Sequence, residues 1–284
     1  MLFVLLWSTG FVGAKYGLPY ADPFIFLVVR VFIAALLLYF FAAAKGFRIK
    51  LTFPEMKYSA IVGATLHFAY LGGVFYGISQ GVPAGIAATV TSLQPILVSL
   101  IGVKVLGTSL RTTQIAGLVL GFLGVVIVLS PAFVSATQMT PIGTISVLVA
   151  LLGSTSATLV QKKSGGEIPL ITGTAFQYLV AALLFLLGAV ATQGFRIEWS
   201  GKFILSLAWL IFALSVGAIL ILLSLLKKGS ASEVSSLLYL VPPATAVEAF
   251  FLFNEKLTSL DFVGILFTAL GVYLVIRKGN SKRN

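Results

Sequence analysis

The sequence predicts an all-α polytopic membrane protein: ten transmembrane helices in two inverted-topology five-helix repeats, with both termini cytoplasmic. Three observations predict it, namely an apolar composition sustained along the chain, a one-sided distribution of Lys and Arg, and an internal repeat. Of 284 residues, 59% are apolar and 10% charged, which leaves too little polar surface to cover a water-soluble globule. The mean hydropathy of +1.09 is spread over the whole length, so a soluble domain on a single anchor is excluded. The apolar runs are long and continuous rather than ten-residue alternations, which excludes a membrane barrel.

A helix needs about 17–25 residues to cross the hydrocarbon, and clusters of Gly, Pro and charge cut the chain into pieces of that size. The first, 1–17, starts on the apolar run Met1 to Trp7. It lacks a basic segment and a small-residue cleavage pattern, so it reads as a span and not a leader. The second, 23–44, opens on Pro23 and stops at Lys45-Gly46, and the third, 57–78, is separated from the fourth, 84–105, by Gly81-Val82-Pro83. The fifth, 112–130, follows Arg111 and ends before Pro131, and the sixth, 142–161, ends at Lys162-Lys163. The seventh to tenth, 169–192, 203–226, 231–253 and 259–276, stop at Gly194, Lys227-Lys228-Gly229, Asn254-Glu255-Lys256 and Arg277-Lys278 in turn.

The placement of charge assigns the connections to sides. Those at 45–57, 104–113, 162–168 and 227–230, with the tail after Ile276, carry fourteen of the nineteen Lys and Arg. The opposite side holds Lys15, Arg196, Lys202 and Lys256, and Arg30 lies within a span. The positive-inside rule then puts both termini in the cytoplasm of an inner or plasma membrane. The same bias accounts for the net charge of +11, so no nucleic-acid partner is implied. With no cysteine, one histidine and eight scattered carboxylates, there is no nucleophile–base pair or metal cluster, and neither an enzyme nor a cofactor or metal is expected.

Sliding the chain against itself exposes a repeat at an offset of 147 residues. Pro95 falls on Pro242, Gly117 on Gly264, Leu123-Gly124-Val125 on Leu270-Gly271-Val272, and Ala34-Ala35-Leu36-Leu37 on Ala181-Ala182-Leu183-Leu184. At 148, Gly46-Phe47-Arg48-Ile49 recurs as Gly194-Phe195-Arg196-Ile197. The first repeat occupies 1–130, an outer linker 131–141, the second repeat 142–277 and a basic cytoplasmic tail 278–284. Five spans per copy is an odd number, so the second copy enters the membrane from the other side. Inverted repeats of this kind characterise secondary transporters, in which one half rocks against the other around a midplane site; a duplicated scaffold is the alternative.

Several stretches together resemble a known family. They are Trp7-Ser8-Thr9-Gly10-Phe11-Val12-Gly13-Ala14-Lys15, Arg30 with Ala34-Ala35, His67 through Pro95, Asn254-Glu255-Lys256-Leu257, and the Gly-x6-Gly spans from Gly117 and Gly264. In order and spacing they are similar to the drug/metabolite transporter superfamily, specifically its EamA-type ten-helix permeases, over nearly the whole chain. The resemblance implies carriage of small metabolites, often amino acids or related amphiphiles, and frequently export. The family's acidic residue after the fourth and ninth spans is kept as Glu255 and replaced by Thr108 in the first half, so Glu255 reads as a loop or cap residue.

The candidate substrate-binding residues are Trp7, His67, Tyr70, Gln94, Pro95, Tyr239 and Pro242. Pro95 and Pro242 are repeat mates about 15 Å into their spans by helix rise, and broken helices at matching midplane positions point to a transport site; an ordinary kink is the alternative. His67 and Tyr70 share a helix face at midplane depth, and Gln94 supplies a further donor and acceptor. Each could equally be a satisfied interhelical hydrogen bond, and Trp7 an interface anchor. Arg30 and Glu248 are the charges well inside spans, at similar depth below the outer surface, and are expected as an ion pair serving gate or coupling. Arg30 on loop carbonyls with a protonated Glu248 is the alternative. Gly73, Gly77 and Gly81 form a smooth face for the fourth helix, while Gly117 and Gly121 serve either a homodimer or packing within a functional monomer. Together these features predict alternating access of a small-molecule substrate through a central cavity in the bilayer. A passive facilitator or channel, or a non-transporting partner protein, are the rivals.

Overall fold

The structure is a computed structural model that describes residues 2–107, 110–134, 139–164, 168–228, 234, 237–253 and 258–276. The described residues are helical throughout, apart from loops and one isolated antiparallel bridge between Ala21 and Ile197. The helices are α1 (Leu2–Gly17), α2 (Pro23–Ala44), α3 (Phe53–Ser79), α4 (Ala84–Val105), α5 (Thr112–Val134), α6 (Pro141–Ser164), α7 (Leu170–Thr192), α8 (Gly201–Lys228), α9 (Val241–Phe253) and α10 (Ser259–Ile276). Helices α2, α3, α4, α6, α7 and α8 are each long and apolar enough to cross a membrane, and α5 and α10 contain shorter apolar stretches, Thr112–Gly124 and Phe262–Val275. Their outer faces carry large apolar side chains: Phe40 is 77%, Phe212 62% and Phe251 75% exposed. Apolar exposure on that scale is stable against lipid and not against water.

Three boundaries differ from the sequence reading, the largest at α9, whose α-helix begins at Val241 rather than 231 because Leu237–Leu240 is a 3-10 turn. Helix α3 begins at Phe53 rather than 57 because Thr52-Phe53-Pro54-Glu55 is a capping box. The Glu55 carboxylate accepts from the Thr52 amide at 2.7 Å and from Arg48. Pro54 takes a first-turn position where an amide hydrogen has no helical acceptor. Helix α5 runs through Pro131 to Val134, into the stretch read as linker, because a proline removes one helical hydrogen bond without forbidding continuation.

Small residues set the helix pairing. Helix α5 lies along α10, where Gly117 and Gly121 face Gly271, and a Cβ on Gly124 would stand 2.6 Å from the Gly264 carbonyl. Gly117 and Gly121 are thus used for packing within the chain. Gly73 and Gly77 meet α6 and not α4, which corrects the expected partner: a Cβ on Gly77 would lie 2.6 Å from Val147, and one on Gly73 would strike the Ser146 carbonyl. A smooth stripe invites close approach without specifying which helix approaches. Gly81 instead forms the turn into α4, at φ 89°, a conformation that costs glycine nothing.

Several contacts among the described residues recur under exchange of α1–α5 with α6–α10. Helix α3 packs on α6 and α7, as α8 packs on α1 and α2; α4 packs on α6, as α9 packs on α1; and α2 meets α7. The irregularities follow the same exchange. Gly63–Gly72 in α3 and Leu210–Ala218 in α8 are π-helical, and they begin 147 residues apart. Helix α4 is broken between Ala84–Thr91 and Gln94–Val105, and a 3-10 turn, Leu237–Leu240, precedes α9.

Candidate functional site

The site is built on the irregular middle of α3. His67 is the fifteenth of its 27 residues, about 21 Å along a helix of roughly 40 Å. A π turn inserts an extra residue and so re-aims the side chains that follow, which is why such turns recur at functional positions. Here the re-aimed residues are His67 and Tyr70.

His67 is fully buried. Its Nε2 lies 3.1 Å from the side-chain oxygen of Gln177 on α7, and its ring centroid 4.4 Å from that of Tyr178. An amide oxygen only accepts, so the ring proton sits on Nε2 and Nδ1 is left as an acceptor; Nδ1 has no partner. Tyr70 accepts from the Trp7 indole N–H at 3.1 Å, with the two rings stacked at 6.1 Å and 16°. Its own hydroxyl proton remains free to donate. Trp7 is therefore placed within the site, and not as an interface anchor.

Arg30 on α2 is 2% exposed. Its Nε donates to the Ser215 hydroxyl at 2.9 Å, inside the π stretch of α8, where Tyr178 donates to the Ser215 carbonyl at 2.6 Å. The guanidinium carbon stands 5.7 Å from the Phe75 ring centroid, a cation–π arrangement, and Nη1 has no acceptor. Between α1, α2, α3 and α8 these groups line a partly open cavity. Trp7, Phe11, Arg30, His67, Tyr70 and Phe75 line it, with Gly10 and aliphatic side chains of α3 and α8 completing the wall.

The remaining candidates lie elsewhere. Gln94 is committed between α4 and α6, donating to the Ser154 carbonyl at 3.2 Å and the Thr158 hydroxyl at 2.5 Å. Pro95 and Pro242 each sit in the first turn of a new helical segment and do not line the cavity. Glu248 accepts from Ser8 on α1 at 2.7 Å, and its second oxygen is unpartnered. The expected Arg30–Glu248 pair is not formed in this conformation, because Arg30 engages α8 and Glu248 engages α1. The Tyr239 side chain, Thr108 and Glu255 lie outside the described residues. Among the described residues no cluster of three His, Asp or Glu side chains could hold a metal ion.

Sequence reasoning missed Gln177, Tyr178, Ser215 and Phe75. One signal was available: Gln177 is the residue 147 positions after Arg30, so carrying Arg30 through the repeat arrives at the partner of His67. No comparable signal marks Ser215, which matters through its hydroxyl and through a carbonyl loosened by π-helical geometry.

Comparison with known proteins gives a consistent result. The sequence profile of the EamA-like transporter family matches residues 1–130 and 141–277. The chain is 28% identical to the "Uncharacterized transporter YvbV" of Bacillus subtilis (strain 168), covering 99% of this chain and 91% of that protein. It is 25% identical to a "Probable amino-acid metabolite efflux pump" of Escherichia coli (strain K12), covering 96% and 92%. A solved protein crystal structure superposes with a TM-score of 0.74 at 18% identity, covering 96% of this chain and 94% of that one; at that identity the likeness is one of fold.

Proposed function

The chain belongs to the EamA-like transporter family, and from that premise we propose that this multi-pass membrane protein is a secondary carrier of small amphiphilic metabolites, working by alternating access. In this reading α1–α10 are ten spans in two inverted repeats, with both termini in the cytoplasm and the protein in the cell membrane. Amino acids or related amphiphiles are the cargo and export is the direction. The observation that carries the proposal is the cavity halfway along α3, lined by aromatic rings and by Arg30 and His67, whose Nη1 and Nδ1 atoms are buried without partners. Two of the helices that line it, α3 and α8, turn π-helical at matching positions, where packing is adjustable. The name of the E. coli relative supports amino-acid metabolites as cargo and efflux as direction.

Counterflow in proteoliposomes preloaded with a mixture of amino acids and apolar carboxylic acids tests the reading. Accumulation of labelled cargo against its gradient is expected, and His67→Ala should reduce the rate about fivefold, since losing one buried hydrogen bond is worth about 1 kcal/mol. Flux without counterflow, accompanied by single-channel currents, would assign a passive pore instead. No exchange of any cargo by correctly folded protein would remove the carrier assignment.

A further inference from the structure

Resting on the carrier reading, we infer that the cavity takes a monocarboxylate anion with an aromatic or branched apolar body and an uncharged 2-substituent, in preference to a zwitterionic amino acid. The charge count of the cavity carries this. Arg30 keeps its positive charge in any surroundings, it is 2% exposed, and among the described residues no Asp or Glu lines the cavity. Glu248 on α9 is held by Ser8 of α1 and is not part of the wall. A buried guanidinium with an unsatisfied N–H and no counter-ion is costly, and an anionic cargo supplies what is missing.

The polar groups of the wall define the rest of the cargo. Arg30 Nη1, without an acceptor, and the free Tyr70 hydroxyl proton are two donors suited to one carboxylate, since charge-assisted hydrogen bonds are the strong ones. His67 Nδ1 is an acceptor without a donor, suited to a 2-hydroxyl. An ammonium at the same place would share the cavity with a fixed cation and find no carboxylate. Trp7, Phe11 and Phe75 offer ring faces to an apolar body. An anionic cargo also accounts for export without a coupling ion: an inside-negative potential of 100 mV favours outward distribution of a monoanion about fiftyfold.

3-Phenyllactate and phenylalanine are a matched pair for the test, differing in a hydroxyl against an ammonium. Counterflow and the shift in thermal midpoint in detergent are measured for each, with phenylacetamide as the uncharged control. Phenyllactate is expected to exchange at least tenfold faster than phenylalanine, because an unmatched buried charge costs more than about 1.4 kcal/mol, and to give the larger thermal shift. Arg30→Gln should abolish the preference and Arg30→Lys keep its sign. Ser215→Ala, which leaves the charge in place and frees Nε, should keep or enlarge it and serves if Arg30→Gln does not fold. Exchange of phenylalanine equal to or faster than phenyllactate overturns the inference and leaves the carrier reading standing. A phenyllactate-specific thermal shift without exchange supports the anion site and overturns the carrier reading. Phenylacetamide performing as well as phenyllactate overturns the inference.

Discussion

Replacing Gly153 by leucine is expected to lower the thermal midpoint and abolish exchange, while the same replacement at Gly85 leaves both intact. Gly153 on α6 faces the backbone of the π stretch of α3. A Cβ there would lie 2.7 Å from the Thr65 carbonyl oxygen, 2.8 Å from the Ala69 Cβ and 3.1 Å from the Tyr70 amide nitrogen. None of these atoms is the end of a flexible side chain, so relief requires α3 itself to move, and Thr65 and Tyr70 bracket His67. Overpacking costs typically about 1–3 kcal/mol; contact with backbone puts this case at the upper end, and roughly 3 kcal/mol at the site slows exchange about a hundredfold. A Cβ on Gly85 meets nothing within 4 Å, and exchanging glycine for leucine within a helix gains up to about 1 kcal/mol of propensity. Thermal midpoints in detergent and counterflow rates for the two variants decide the matter. Equal losses at both positions would show that added bulk, and not the α3–α6 contact, is responsible.

Much of the fold was legible because lipid imposes few solutions. Span length, Pro23, Pro83 and Pro169 near helix starts, and basic residues at connections mark most boundaries of α2, α4, α6 and α7 within a few residues. The capping box Thr52 to Glu55 was equally readable, and it dates the start of α3 better than hydropathy, which is blind to the polar first turn. Half of the site was legible by type and depth: Trp7, His67, Tyr70 and Arg30 are midspan polar or aromatic groups, and all four line one cavity. The partners were not. Gly73 and Gly77 announce a close contact but do not name α6. Gln94 has the same chemical appeal as His67, and only the position of Ser154 and Thr158 shows it to be satisfied. The π stretches carry no signature in composition, because i→i+5 hydrogen bonding is a compromise between packing surfaces and is not a local propensity.

Restoring the missing amide hydrogens at Pro95 and Pro242 is expected to slow exchange about tenfold while leaving the thermal midpoint unchanged or higher. Each proline lies in the first turn of a helical segment, where a missing N–H has no cost. The break before Gln94 is held by side chains: Thr91 donates to the Ala87 carbonyl at 2.8 Å and Ser92 to the Thr89 carbonyl at 2.6 Å. Such hydroxyl bonds support a loosened turn without locking it. Alanine at both positions can reconnect the segments with one backbone hydrogen bond each, worth about 0.5–1.5 kcal/mol apiece. If the two halves of α4 and the start of α9 must bend relative to one another in the cycle, about 2 kcal/mol added to the unbent state raises the barrier by an order of magnitude or more. The single variants should each show part of the effect, since exchange of the two repeats maps Pro95 onto Pro242. Cargo binding, followed by the thermal shift, should be unaffected because neither proline lines the cavity. A double variant that exchanges at the wild-type rate would mean that the breaks only accommodate packing, and that the rocking motion is taken up by the π stretches of α3 and α8.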